Sequence, residues 1–145
     1  MIASVLIIVL SAALFVYWFR YTCLLILSTK TARNYGEAIA EANRLSFPEV
    51  YSRLRADAGG NLDALRDALE RDYRLLTHLI QNASHDAGAD VLEQRLLMLD
   101  FSLMRCWYAV ARCLGIARAH ALSEMCDIVS HFANSMGQRM ADSRA

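Results

Sequence analysis

The sequence predicts an all-α protein in which a single N-terminal transmembrane helix leads into a small antiparallel helical bundle with a long C-terminal helix. Three observations predict it. Eighteen consecutive residues, Ile2 to Phe19, contain only two polar side chains, Ser4 and Ser11. The remaining chain repeats its apolar residues every three or four positions, the period of a helix that buries one face. One proline and six glycines in 145 residues leave few interruptions, and no alternating strand pattern occurs outside the apolar run.

The N-terminal run would cover roughly 27 Å at the rise of an α-helix, enough to cross the hydrocarbon core of a bilayer. Ile2, Val5, Val9, Leu14, Trp18 and Phe19 are its membrane-spanning positions. Tyr17, Trp18 and Tyr21 stand where an aromatic belt lies at one interface, with Arg20 able to extend outward between them. A cleavable signal peptide would need a basic leader, a shorter core and a small-residue cleavage site. None of these is present. Basic residues flank only the C-terminal side, at Arg20, Lys30, Arg33 and Arg44, so the positive-inside rule places the N-terminus outside and the helical domain in the cytoplasm. Residues 1–30 are assigned to the anchor and 31–145 to the helical domain.

Beyond residue 30 the chain carries thirteen basic and fifteen acidic side chains, with no basic block and no interleaving of Arg with aromatics. Nucleic acid is therefore not an expected partner. The domain is long enough to bury one core. Cys23, Cys106, Cys113 and Cys126 fall on apolar stripes, which predicts reduced, buried thiols rather than a disulfide framework.

The elements follow in order. Thr31 to Leu45 reads as a continuation of the membrane helix, with Tyr35, Ile39 and Ala42 on one side. Ser46-Phe47-Pro48-Glu49 has the form of a capping box, in which the Ser hydroxyl accepts from the Glu49 amide and the Glu carboxylate reaches back. The helix it starts should end at Gly59-Gly60. Asn61 then caps a helix whose stripe is Leu62, Leu65, Leu69, Tyr73, Leu76 and Ile80, supported by the pairs Asp67 with Arg71 and Glu70 with Arg74. A polar turn over residues 82–88 precedes the last element. Its stripe of Leu92, Leu96, Leu99, Leu103, Cys106, Val110 and Cys113 is widened by Leu97, Phe101, Met104, Trp107 and Tyr108. More than one neighbour must cover so broad a surface. The stripe continues through Leu114, Met125, Ile128, Phe132 and Met136, which favours one long, kinked helix over residues 90–138 against a hairpin broken near Gly115.

The residues that could carry chemistry point to no enzyme. His120 and His131 share a helix face but lie about 16 Å apart along it, too far to ligate one metal. His85 falls in the turn. A haem held between His78 and a histidine of the last helix, giving a redox-active cofactor or metal-binding bundle at the membrane, is the alternative functional reading. The cysteine spacing lacks the close ligand pairs of a zinc site. Asp100 is the best inward carboxylate, with Arg105 or Arg71 to neutralise it, and no second carboxylate shares its face. Asn82-Ala83-Ser84 matches a glycosylation sequon, which a cytoplasmic domain would not expose to the transferase. No cofactor, metal or catalytic residue is expected.

A helix of nearly fifty residues would be about 70 Å long, more than two or three shorter helices can cover. Part of its stripe should meet another chain. The expected seam is Leu103, Val110, Leu114, Met125, Ile128, Phe132 and Met136, with Met98, Met104, Met140 and Trp107 adding an adaptable apolar surface. The sequence thus predicts a non-enzymatic interaction subunit that contacts membrane lipid through its first helix and forms a homo-oligomer or docks on a membrane complex.

Overall fold

The computed structural model describes residues 1–28, 35–56, 60–83, 88–114 and 118–143. Six helices and no strands occur among them: α1 (Ile2–Ser28), α2 (Gly36–Asn43), α3 (Phe47–Arg55), α4 (Leu62–Ala83), α5 (Gly88–Leu114) and α6 (Arg118–Asp142). The chain divides into two compact units, Met1–Lys30 and Thr31–Ala145.

The first unit is α1, a helix long and apolar enough to cross a membrane. Its apolar stretch has no buried face, whereas the core helix of a soluble domain would bury one. Phe15 and Phe19 stack one turn apart, and Trp18 meets Tyr21 edge-on with ring centroids 6.0 Å apart. Thr22 donates its hydroxyl proton to the Trp18 carbonyl, satisfying a polar side chain within the helix itself.

The second unit is built around α6, which packs against α2, α3, α4 and α5 in turn. Ala121, Leu122, Met125, Cys126, Ile128, Val129, Phe132 and Ala133 are all buried, so this helix is covered on several sides. The α4 stripe behaves as its spacing predicts, with Leu65, Leu69, Leu76 and Ile80 buried and Tyr73 half-buried. Tyr73 stacks on Phe101 of α5 with centroids 3.8 Å apart and nearly parallel planes, and leans on Phe132 of α6 at 6.0 Å. These three rings join α4, α5 and α6 at the centre of the core.

The continuous last helix does not form. Near the start of α5, Glu93 accepts from His131 Nε2 at 2.8 Å. Gln94, with its amide oxygen turned toward the guanidinium, accepts from Arg139 at 2.8 Å. Both partners lie in the C-terminal half of α6, so α5 and α6 are two helices that run antiparallel. A single helix would leave both broad stripes without neighbours; folding back buries one face of α5 and most of α6. Gly115 itself lies outside the described residues.

Local capping also differs from expectation. Of the helical extension expected over Thr31 to Leu45, residues 31–34 lie outside the described residues, and α2 covers only Gly36–Asn43, burying Ile39 and Ala40 and leaving Ala42 exposed. Arg44 then takes the left-handed conformation (φ 52°), which turns the Leu45 amide back to the Ala40 carbonyl at 2.8 Å. The capping box at Ser46 is likewise absent. The carboxylate of Asp72, on α4, accepts from the Ser46 and Phe47 amides at 2.5 and 2.8 Å instead. The Ser46 hydroxyl accepts from Arg71, and Glu49 pairs with Arg53 along α3. A distant side chain likewise caps α2, where Gly36 donates to Asn134 of α6 at 2.5 Å. Among the described residues Asn61 does cap its own helix, accepting from the Ala64 amide at 3.4 Å. Asp67 pairs with Arg66 rather than Arg71, while Glu70 keeps Arg74.

Gly137 allows α2 to approach α6. A Cβ there would land on the Tyr35 Cβ and within 3.3 Å of the Ile39 side chain. Gly137→Val should therefore cost about 1–3 kcal/mol, through displacement of α2. Gly137→Ala should cost less, because alanine recovers up to about 1 kcal/mol of helix propensity. Thermal melts of the full chain followed by far-UV circular dichroism check the ranking; equal Tm values for Val and wild type would contradict the close approach.

Candidate functional site: the outer face of α5

Helix α5 has two apolar faces. Leu97, Phe101, Met104, Tyr108 and Ala111 point into the core and are buried. Leu92, Leu99, Leu103, Trp107, Val110 and Leu114 lie on another side, within roughly 120° of arc at 100° per residue, and each keeps at least 36% of its surface exposed. Cys106 and Cys113 lie on that same outer strip, both exposed. Scattered exposed leucines are ordinary on a protein surface, whereas a contiguous apolar strip along one helix is not.

The inner attachment of α5 is polar as well as apolar. Tyr108 donates to Asp63 at the start of α4 at 3.0 Å, Arg112 lies 3.6 Å from the same carboxylate, and the Arg66 guanidinium sits over the Tyr108 ring. Burial and the adjacent Asp63 carboxylate raise the Tyr108 pKa, keeping its hydroxyl a donor. These contacts hold the C-terminal part of α5 in one rotational setting, with Trp107, Val110 and Leu114 outward.

The predicted seam therefore splits. Leu103, Val110 and Leu114 face outward on α5, but Met125, Ile128 and Phe132 are buried in the domain's own core and Met136 is half-buried. The correction follows from the chain reversal: once α6 folds back, its apolar residues are covered by α2 to α5. Met104 is also core, whereas Met140 remains exposed.

The cysteine expectation fails for two of four. Cys23 and Cys126 are buried, but Cys106 and Cys113 are exposed because they sit on the uncovered α5 face. Cys126 donates its thiol proton to the Phe47 carbonyl at 3.3 Å, and burial together with the Asp127 and Asp72 carboxylates pushes its pKa up to about 12. In alkylation of the full chain with N-ethylmaleimide, Cys126 should react only after unfolding. Mass spectrometry of the labelled peptides checks this, and labelling of Cys126 under native conditions would contradict its burial.

The histidines do not converge. His78 is exposed and within 3.2 Å of the Asn82 amide nitrogen, His120 pairs with Glu124 at 3.0 Å, and His131 with Glu93. His85 and Ser84 of the sequon lie outside the described residues. Among the described residues no three His, Cys, Asp or Glu side chains are grouped to hold a metal ion. Asp100 is fully buried, as its inward position implies, while Arg71 is taken up by Ser46 and Arg105 is exposed.

A cavity of about 320 Å³ lies between α2, α3 and α6, edged by Glu37, Tyr51, Asp127 and Ser130. Burial and neighbouring Glu124 raise the Asp127 pKa, opposed by Arg55, which stacks on Tyr51. Its thiol, Cys126, is held protonated, so the cavity offers no ready nucleophile.

Sequence reasoning missed Asp72, Asn134 and Gly137. The signal for Asp72 was present: it lies three residues after Leu69 and four before Leu76, on the buried stripe of α4. A carboxylate there must find donors. Comparison of the chain with protein-family models, with curated proteins and with solved structures gives no match.

Proposed function

We propose that the protein is a membrane-anchored, non-enzymatic interaction subunit. In this reading α1 crosses the bilayer with its N-terminus outside, and the helical unit stands on the cytoplasmic side and offers the outer face of α5 to a protein partner. The observation that carries it is the second apolar face of α5, which remains uncovered after the core is complete. The domain does not need that strip for its own packing, and a helix face of this kind is a common docking element. The basic residues beyond the apolar run support the orientation.

Affinity purification of the full-length protein from its native membrane in mild detergent tests the reading. Stoichiometric association, with itself or with another membrane protein, is expected; a solitary monomer would overturn it. Membrane-impermeant maleimide applied to sealed vesicles of either orientation, read at Cys106 and Cys113 in a Leu99→Glu background, tests the topology. Labelling is expected only from the cytoplasmic side.

A further inference from the structure

We propose that the outer face of α5 pairs two copies of this chain, with the two α5 helices antiparallel. The inference rests on the interaction-subunit reading and names its partner. Leu92, Leu99, Cys106 and Cys113 recur every seven residues, and Leu96, Leu103 and Val110 recur every seven residues offset from them by four. This is a 3.5-residue seam sustained over three heptads, the pattern that keeps one helix facing another along its length. Leu96 is half-buried and the other six are exposed.

The available area suits a pair. Leu92, Leu99, Leu103, Trp107, Val110 and Leu114 leave about 600 Å² uncovered per chain, so a two-fold contact that covers them fully would remove roughly 1,200 Å², at the lower bound of stable protein interfaces. A two-fold contact is also closed, leaving no apolar strip to recruit further copies.

Side-chain volume selects the direction. In the antiparallel arrangement centred between Leu103 and Cys106, Leu103 meets the second copy's Cys106, Leu99 meets Val110, and Leu96 meets Cys113. Each of these layers joins a leucine to a smaller residue, and packing is even across them. A parallel pair would stack leucines on leucines at 92, 96, 99 and 103 and oppose cysteines at 106 and 113, bulging at one end and leaving voids at the other. A bilayer surface fits the face less well. Helices that lie on lipid carry Lys or Arg along the polar side at both shoulders, whereas this strip has Arg95 at one shoulder, Glu93 beyond the other, and no lysine in α5.

The test uses the full-length protein in density-matched detergent. Sedimentation equilibrium should give twice the 16.3 kDa chain mass. The Leu99→Glu/Val110→Glu double variant should sediment as a monomer and keep the wild-type helical spectrum, because both sites are exposed on the folded chain. For direction, a Cys23→Ala/Cys106→Ala background carrying Leu96→Cys should form a covalent dimer with Cys113 under mild oxidation. The same background without Leu96→Cys should not, because the paired Cys113 residues would stand about 25 Å apart. Crosslinking through Cys113 alone would overturn the antiparallel arrangement. A monomeric wild type, or a double variant that still dimerises, would overturn the pairing. So would a blue shift of Trp107 emission on adding phosphatidylcholine vesicles to a monomeric Trp18→Phe protein, which would assign the face to lipid. A stoichiometric partner of different sequence on this face overturns the pairing and leaves the interaction-subunit reading standing; a protein with neither partner nor self-association sinks both.

Discussion

Phe132→Ala should destabilise the helical unit by about 3–5 kcal/mol, the usual cost of removing a buried phenylalanine from a core. Phe132 is only 1% exposed, and its ring supports the Tyr73 and Phe101 stack that joins α4 to α5. Since whole domains are stable by only about 5–15 kcal/mol, the loss should lower Tm on the order of 15 °C and broaden the transition. Phe132→Leu, which keeps most of the volume, should cost about a third as much. The contrast with Leu99→Glu is the informative part. A charge at exposed residue 99 should leave Tm near that of the wild-type monomer, while a truncation at 132 should lower Tm whatever the oligomeric state. Comparable melts for Phe132→Ala and wild type would return Phe132 to the seam and remove α6 from the centre of the core.

Asp72→Ala should be the second large effect, about 2–4 kcal/mol, because it strands two amides at the start of α3 without an acceptor. Both donors lie on the far side of a loop from α4, so the loss should also loosen α3 from α4 and raise amide exchange at Ser46 and Phe47. Asp72→Asn retains an acceptor oxygen and should cost roughly 1 kcal/mol.

The pH dependence has a defined sign. Burial pushes the Asp72 pKa above its ordinary value of 3.8, against the two amide hydrogen bonds and Arg71, which act to lower it. The folded state therefore binds this proton more tightly than the unfolded state does. The resulting stabilisation is complete below the ordinary carboxylate value and is lost as pH rises through the raised folded value. Asp127, raised by burial and by Glu124, contributes with the same sign. Melts of wild type and Asp72→Asn from pH 4 upward should show a steeper decline for wild type. A wild-type curve that instead rises more steeply than the Asn variant would mean that the amide bonds outweigh burial and hold the Asp72 carboxyl low.

Sequence alone determined the helical class, the long apolar N-terminal helix, the α4 stripe and the unusual breadth of the α5 surface. Those features follow from periodicity and composition, which act over a few residues and need no knowledge of neighbours. Tertiary structure decided which apolar residues are core. The α5 and α6 stripes are both apolar in the sequence, and only the packing of α6 among α2, α3, α4 and α5 buries Met125, Ile128 and Phe132 while Leu99, Val110 and Leu114 stay outside. It also decided the caps. Ser46 and Glu49 have the spacing for a local capping box, but the Asp72 carboxylate brings a charged acceptor to the Ser46 and Phe47 amides, and a buried carboxylate gains more from two donors than a half-buried serine does. Contacts such as Gly36 with Asn134, 98 residues apart, depend on packing that no local pattern encodes.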